Sequence, residues 1–116
     1  MYLNKGKDKL KIKVVQSPDA VMKGMMGKKF GPSYQGMLFV MGKDEEQSFW
    51  MKNCIIPLDI IFLHNNKITK IHKNCKPCES EVCPHYYGDG NFVLELDGGM
   101  SNRLGLEEGE TLSFSL

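Results

Sequence analysis

The chain has 116 residues, 41% of them apolar and 25% charged, with a formal net charge of +1. That length leaves room for one domain and one core, and the composition excludes both a disordered chain and a fibrous repeat. A charge this close to zero gives no overall field to draw in nucleic acid or anionic lipid, so neither is expected as a partner.

Residues 1–9 read as a Lys-rich N-terminal segment, free to be disordered, ahead of a single β domain at 10–116. Lysine occupies every second position from Lys5 to Lys13, while Leu10, Ile12 and Val14 fall between. On a strand this sends the lysines to one face, the pattern of a solvated or edge-strand face that resists aggregation. No continuous apolar stretch of the secretory kind lies between Met1 and Val15, which makes the cytoplasm the expected compartment. A short helix follows: Ser17 can cap it, Pro18 suits its first position, and Val21, Met22, Met25 and Met26 keep helical spacing up to Gly27.

Strands are then expected at Gly36 to Met41, Ser48 to Lys52, Leu58 to Leu63, Lys67 to His72, Phe92 to Asp97 and Thr111 to Ser115, in addition to Leu10 to Val15. His64-Asn65-Asn66 joins two of them in a tight hairpin, since asparagine tolerates left-handed backbone. The fold class predicted is all-β: an antiparallel β-sandwich or barrel-like domain of about seven strands, with one short helix near the N-terminus. The longest apolar run, Cys54 to Leu63, is about half a bilayer span and is broken by Pro57 and Asp59, so no membrane-crossing helix is predicted.

The stretch from Phe49 to Phe62 sets Lys52, Asn53 and Asp59 among large apolar residues, and Glu95 interrupts Phe92 to Leu96 in the same way. An ionised carboxylate removed from water costs several kcal/mol unless donors or a cation meet it, so Asp59 and Glu95 each need a partner, a wet cavity or an outward orientation. Alternation places Trp50 and Lys52 on one strand face, where a cation-π pair can form, and Asn53 on the other. Arg103, the only arginine, reads as an exposed loop residue.

Cys75, Cys78 and Cys83, followed by His85, put three thiols and an imidazole in one short segment. Three readings stay open: free loop thiols, favoured by a reducing compartment; a Cys78 to Cys83 bridge, sterically easy across the loop; or a zinc site, for which Cys83 and His85 stand too close. Eight methionines raise Cu(I), but adaptable core filling explains them better, and no cofactor is expected. No phosphate loop, dinucleotide fingerprint or nucleophile elbow is present, which leaves Cys54 with His64 or His72 as the one conceivable nucleophile and base.

Gly24-Met25-Met26, Gly36 to Val40, Phe49-Trp50-Met51-Lys52-Asn53, Ile56-Pro57-Leu58-Asp59-Ile60-Ile61-Phe62, Pro77-Cys78, Cys83-Pro84, Val93 to Leu96 and Gly99 together resemble the bacterial and archaeal family called domain of unknown function 192. The resemblance runs from about Leu10 to Phe114. It implies a compact β-sandwich or barrel-like fold with a short helix near the start, and no established activity. Trp50, Lys52, Asn53, Pro57, Asp59, Glu95 and Gly99 match its signature, which looks like a site of unknown ligand. Cys54 departs from a usual threonine, Gly27-Lys28 from a common aromatic and arginine, and Gly98 from a common alanine. Many relatives look exported, and there the Pro-Cys and Cys-Pro elements are open to oxidation.

The functional expectation is a non-enzymatic binding or accessory protein, a monomer or weak homo-oligomer. Trp50, Lys52, Asn53, Asp59 and Glu95 would line a polar cleft between sheets for a small polar ligand or a peptide. Two alternatives stand beside it: a hydrolase using Asp59 with Glu95, or Cys54, and a thiol or metal role for Cys75, Cys78 and Cys83.

Overall fold

The computed structural model describes every residue from Met1 to Leu116. Its strands are β1 (Tyr2–Lys5), β2 (Asp8–Val15), β3 (Gly36–Trp50), β4 (Leu58–His64), β5 (Lys67–Cys75), β6 (His85–Asp97) and β7 (Ser113–Ser115). They form one curled sheet, a half-barrel, in the order β5-β4-β6-β3-β2-β1-β7. Two short helices accompany it, α1 (Pro18–Lys23) and α2 (Met100–Arg103). The mainly-β class holds, but the sheet is mixed rather than wholly antiparallel, because β2 and β3 run parallel from Ile12 beside Gly36 to Val15 beside Phe39. A parallel pair needs a crossover of about a dozen residues or more, and residues 16–35, which carry α1, supply it.

The Lys-rich segment 1–9 turns out to be part of this sheet. Tyr2–Lys5 pairs with β2 on one side and β7 on the other, and Leu3 is wholly buried. Gly6, at φ 57, makes the tight turn between the paired Lys5 and Asp8. A four-residue strand with one buried side chain carries too little alternation to be read from sequence. Along β2 the lysines Lys9, Lys11 and Lys13 are exposed as expected, but Val14 is exposed and Val15 buried, so the alternation breaks at the strand end.

Two of the expected strands are one. β3 runs unbroken from Gly36 to Trp50, with its register against β6 slipping between Val40 and Glu45, a bulge that bends the ribbon between the two expected strands. Gly90 lies within β6. A Cβ there would stand 2.2 Å from the Leu63 carbonyl oxygen, so close packing against β4, not a turn, requires glycine. The hairpin at Asn65 forms as predicted, with φ 51 between antiparallel β4 and β5.

In α1, Ser17 Oγ accepts the Ala20 amide at 3.2 Å and Pro18 begins the helix. The helix stops at Lys23, earlier than its methionine spacing suggested, because Gly24 adopts φ 44 and turns the chain. Met25 and Met26 therefore belong to the turn beyond the helix, where Met26 bridges to Cys54.

Both faces of the sheet are covered. On one, Leu38, Ile61, Leu63, Leu94 and Leu96 pack with Leu104, Leu106 and Leu112 of the C-terminal segment. On the other, Met37, Phe39, Ile60, Phe62 and Val93 pack with Met25, Met51 and Cys54. β4 is consequently buried at six consecutive positions, Leu58 to Leu63, and the outward orientation considered for Asp59 and Glu95 does not exist.

Candidate functional site

β4 and β6 pair with Asp59 beside Leu96 and Ile60 beside Glu95. Side chains on adjacent positions of a strand point to opposite faces, so Asp59 enters the Leu-rich layer and Glu95 the Met- and Phe-rich layer. The two carboxyls cannot meet on one substrate, and their use as a hydrolytic pair is overturned.

Asp59 is wholly buried and fully engaged. Its Oδ1 accepts the amides of Asn74 at 2.9 Å and Gly99 at 3.1 Å, and its Oδ2 accepts the Ser101 amide at 2.8 Å. These donors come from the end of β5, the turn after β6 and the first turn of α2. Asp59 fastens three segments together through both oxygens and, wholly buried, faces no open cleft.

Glu95 is in the opposite condition. Only 3% of the residue is exposed, and no cation or hydrogen-bonding side chain meets its carboxyl. Burial pushes that carboxyl up to about 8, so it holds its proton at neutral pH. It forms the floor of a cavity of about 210 Å³ that opens between α1 and β3. Val21, Met22, Met25, Met26, Phe39 and Phe49 give this cavity apolar walls. Met41, Trp50 and Cys54 extend them. The wall under Gly24 is tight: a Cβ there would come within 3.1 Å of the Phe39 ring.

Of the other residues singled out from sequence, Trp50 lines this cavity, 38% exposed, with its ring 5.5 Å from that of His85. His85 also bonds through Nδ1 to Ser48 Oγ at 2.8 Å. Lys52 does not stack on Trp50; its ammonium donates to the Ser80 carbonyl. Asn53, at φ 60, serves through its backbone, donating its amide to Cys78 O at 3.0 Å and accepting from Gly27 N at 2.9 Å. The expected polar cleft of Lys52, Asn53, Asp59 and Glu95 is thus dispersed over three places.

Cys78 and Cys83 form a disulfide, with Cα atoms 6.0 Å apart. Cys75 and Cys54 are free and buried. The zinc reading fails because two of its thiols are bonded to each other, Cys75 is packed in the core, and His85 bonds to Ser48 and stacks on Tyr87. Burial pushes the Cys54 and Cys75 thiols up to about 11, with Glu95 adding to the shift at Cys54 and Asp59 at Cys75, so neither is an activated nucleophile. No histidine lines the cavity beside Cys54. The bridge closes a short loop that is already held by Lys52 and Asn53. Replacing both Cys78 and Cys83 by serine should cost about 2 kcal/mol, measured as a lowered urea midpoint, and leave the cavity unchanged.

Comparison with known proteins adds one decisive match. The profile of DUF192, described as an uncharacterized ACR family, covers residues 1–114. The chain belongs to the DUF192 family. Two solved structures share its fold. One, from Sinorhizobium meliloti 1021, is provisionally described as a transcription regulator; it is 30% identical with a TM-score of 0.81, over 97% of this chain and 89% of that one. The other, a protein of unknown function from Novosphingobium aromaticivorans DSM 12444, is 27% identical with a TM-score of 0.80, over 97% and 82%. Comparison with curated proteins gave no match.

The residues that matched the DUF192 signature therefore do different jobs in this member. Asp59 and Gly99 meet each other in a hydrogen bond, Lys52 and Asn53 hold the disulfide loop, and Trp50 and Glu95 share the cavity. Sequence reasoning missed the methionine walls. Their signal was present in Met22, Met25 and Met26, but it reads as helix core until Gly24 is recognised as the helix end.

Proposed function

We propose that this DUF192 protein is a non-catalytic binding module that takes a small ligand, or one side chain of a peptide, into the cavity above Glu95. The observation that carries this reading is the carboxyl of a residue only 3% exposed, without a hydrogen-bond or ion partner in the chain, facing a mostly apolar opening. Buried polar groups left without partners are rare and costly, and a bound molecule is one way to relieve such a cost. A volume of about 210 Å³ lies below the range of about 300–1,000 Å³ that holds drug-sized ligands, which favours a side chain or a compact molecule. Flexible methionine walls suit more than one shape of occupant.

A hydrolase would need an activated nucleophile beside Glu95; of the two candidates in the cavity, Cys54 is held as a thiol, and Ser48 bonds to His85, which no carboxylate orients. The description of the Sinorhizobium relative is not carried over, since helices of six and four residues provide no recognition helix. No helix is long and apolar enough to cross a membrane. The Cys78–Cys83 bridge favours an oxidising compartment over the cytoplasm expected from the N-terminal residues.

Methyl-labelled methionine NMR tests the proposal directly. Fragments that bind should shift the methyls of Met22, Met25, Met26 and Met41 and leave Met1 and Met100 in place. Hits confined to other residues, or a fragment set that moves none of the four, would overturn it.

A further inference from the structure

The chemistry of the cavity narrows its occupant. Glu95 is the only carboxyl on its surface, and the groups around that carboxyl are known from every side. Cross-strand neighbours Met37 of β3 and Ile60 of β4 are apolar. The thiols of Cys54 and Cys75 are near enough for the charge of Glu95 to be felt, yet both stay protonated up to about 11. Lys23, the last residue of α1, is exposed at the mouth and forms no ion pair with Glu95. The floor is thus a carboxyl with no partner of its own, in a mostly apolar cavity.

A divalent cation is a poor fit, because calcium and magnesium demand about six oxygen ligands and the shaft supplies one carboxyl. A guanidinium would leave most of its five N–H groups against methionine and phenylalanine. A primary ammonium has three donors, two of which the carboxyl oxygens can accept, and its aliphatic stem matches the walls. The desolvation cost on the carboxyl side is already borne by the fold, which leaves the ammonium's own to be met by binding.

We infer that the cavity receives an aliphatic chain ending in a primary ammonium, with the ammonium on the Glu95 carboxyl and the chain along Met25, Phe39 and Phe49. This rests on the binding-module reading above and names its ligand class. The chain can be a free alkylamine or the side chain of a lysine in a peptide. Because the free protein keeps the Glu95 proton at neutral pH, docking an ammonium releases that proton, and binding is linked to pH.

The test titrates the intact protein with n-hexylamine, n-hexanol and the blocked lysine N-acetyl-lysine methylamide, read by the methionine methyl shifts and by calorimetry. Hexylamine should bind at least tenfold tighter than hexanol at pH 8. Its affinity should rise about tenfold per unit from pH 6 and level off near pH 8, while hexanol stays flat. Glu95→Gln should bring the amine down to the affinity of the alcohol; if that variant does not fold, the comparison of amine with alcohol across pH on the native protein decides alone. Equal affinities with no pH dependence would overturn the ammonium proposal while leaving the cavity as a binding site. Failure of both probes to move the four methyls would overturn the two readings together. Binding by the blocked lysine as tight as by hexylamine would identify a peptide as the source, and binding by hexylamine alone a free amine.

Discussion

Between pH 4.5 and 8 the protein should lose up to about 5 kcal/mol of unfolding free energy, and Glu95→Gln should remove most of that loss. In the unfolded chain Glu95 ionises near its ordinary value of 4.5, whereas in the folded state burial delays ionisation to about 8. Within that window the native state binds one more proton than the unfolded state, so stability falls as pH rises; below the window the contribution is complete, and above it the contribution is gone. A shift of that size corresponds to about 5 kcal/mol at 1.36 kcal/mol per unit, and water entering the cavity lowers the figure. The amide of the variant is nearly isosteric and does not titrate. Urea unfolding at several pH values should give parallel stabilities near pH 4.5 and a clear advantage for the variant at pH 9. Asp97, raised by burial and by the charge of Asp59, contributes in the same direction to both proteins and cancels in the difference. An identical slope in the two proteins would show that Glu95 is hydrated in the native state.

Asp59→Ala should cost roughly 5 kcal/mol, comparable to the whole stability of many domains of this size. Three backbone amides lose their acceptor at once, each in a place where water does not readily replace it. Asp59→Asn should be milder, about 2 kcal/mol. Its remaining oxygen can serve Asn74 and Gly99 in place of Oδ1, but its NH₂ group would face the Ser101 amide, donor against donor. Denaturant titration should therefore rank native above Asp59→Asn above Asp59→Ala. Both variants should keep ligand-induced methionine shifts for as long as they fold. An Asp59→Ala protein of native stability that no longer binds ligands would assign Asp59 to the site instead.

Much of this fold was legible because its strands carry strong local signals. The branched run Leu58 to Leu63 and the Asn65 hairpin specify β4 and β5 without reference to the rest of the chain. The parallel pairing of β2 with β3 was not legible, since it depends on how far apart the crossover ends land. The close approaches at Gly88 and Gly90 were not legible either, since they depend on which residues of β4 pack against β6. Gly88 lies under the Phe62 ring, where a Cβ would meet ring carbons at 2.3 Å.

The candidate site was legible only as a set of suspicious residues. That Asp59 and Glu95 are withdrawn from water followed from their apolar neighbours, but which layer each enters depends on the register of β4 against β6. A strand buried on both faces gives no hydrophobic alternation from which to read that parity. Lys52 and Asn53 were recognisable as unusual, yet their partners, Ser80 and Cys78, lie more than twenty residues away in a loop without a pattern of its own.

A sheet roofed by different parts of the chain on its two surfaces can separate anchoring from recognition. The leucine layer, sealed by residues after β6 and pinned through Asp59, holds the architecture in place. The methionine layer, closed by the crossover between β2 and β3, holds Met25, Met37, Phe39, Met51 and Glu95, which also carry the resemblance to the family. A binding role shared by relatives should therefore sit on that side of the central strands, and repacking of the leucine layer should leave it untouched.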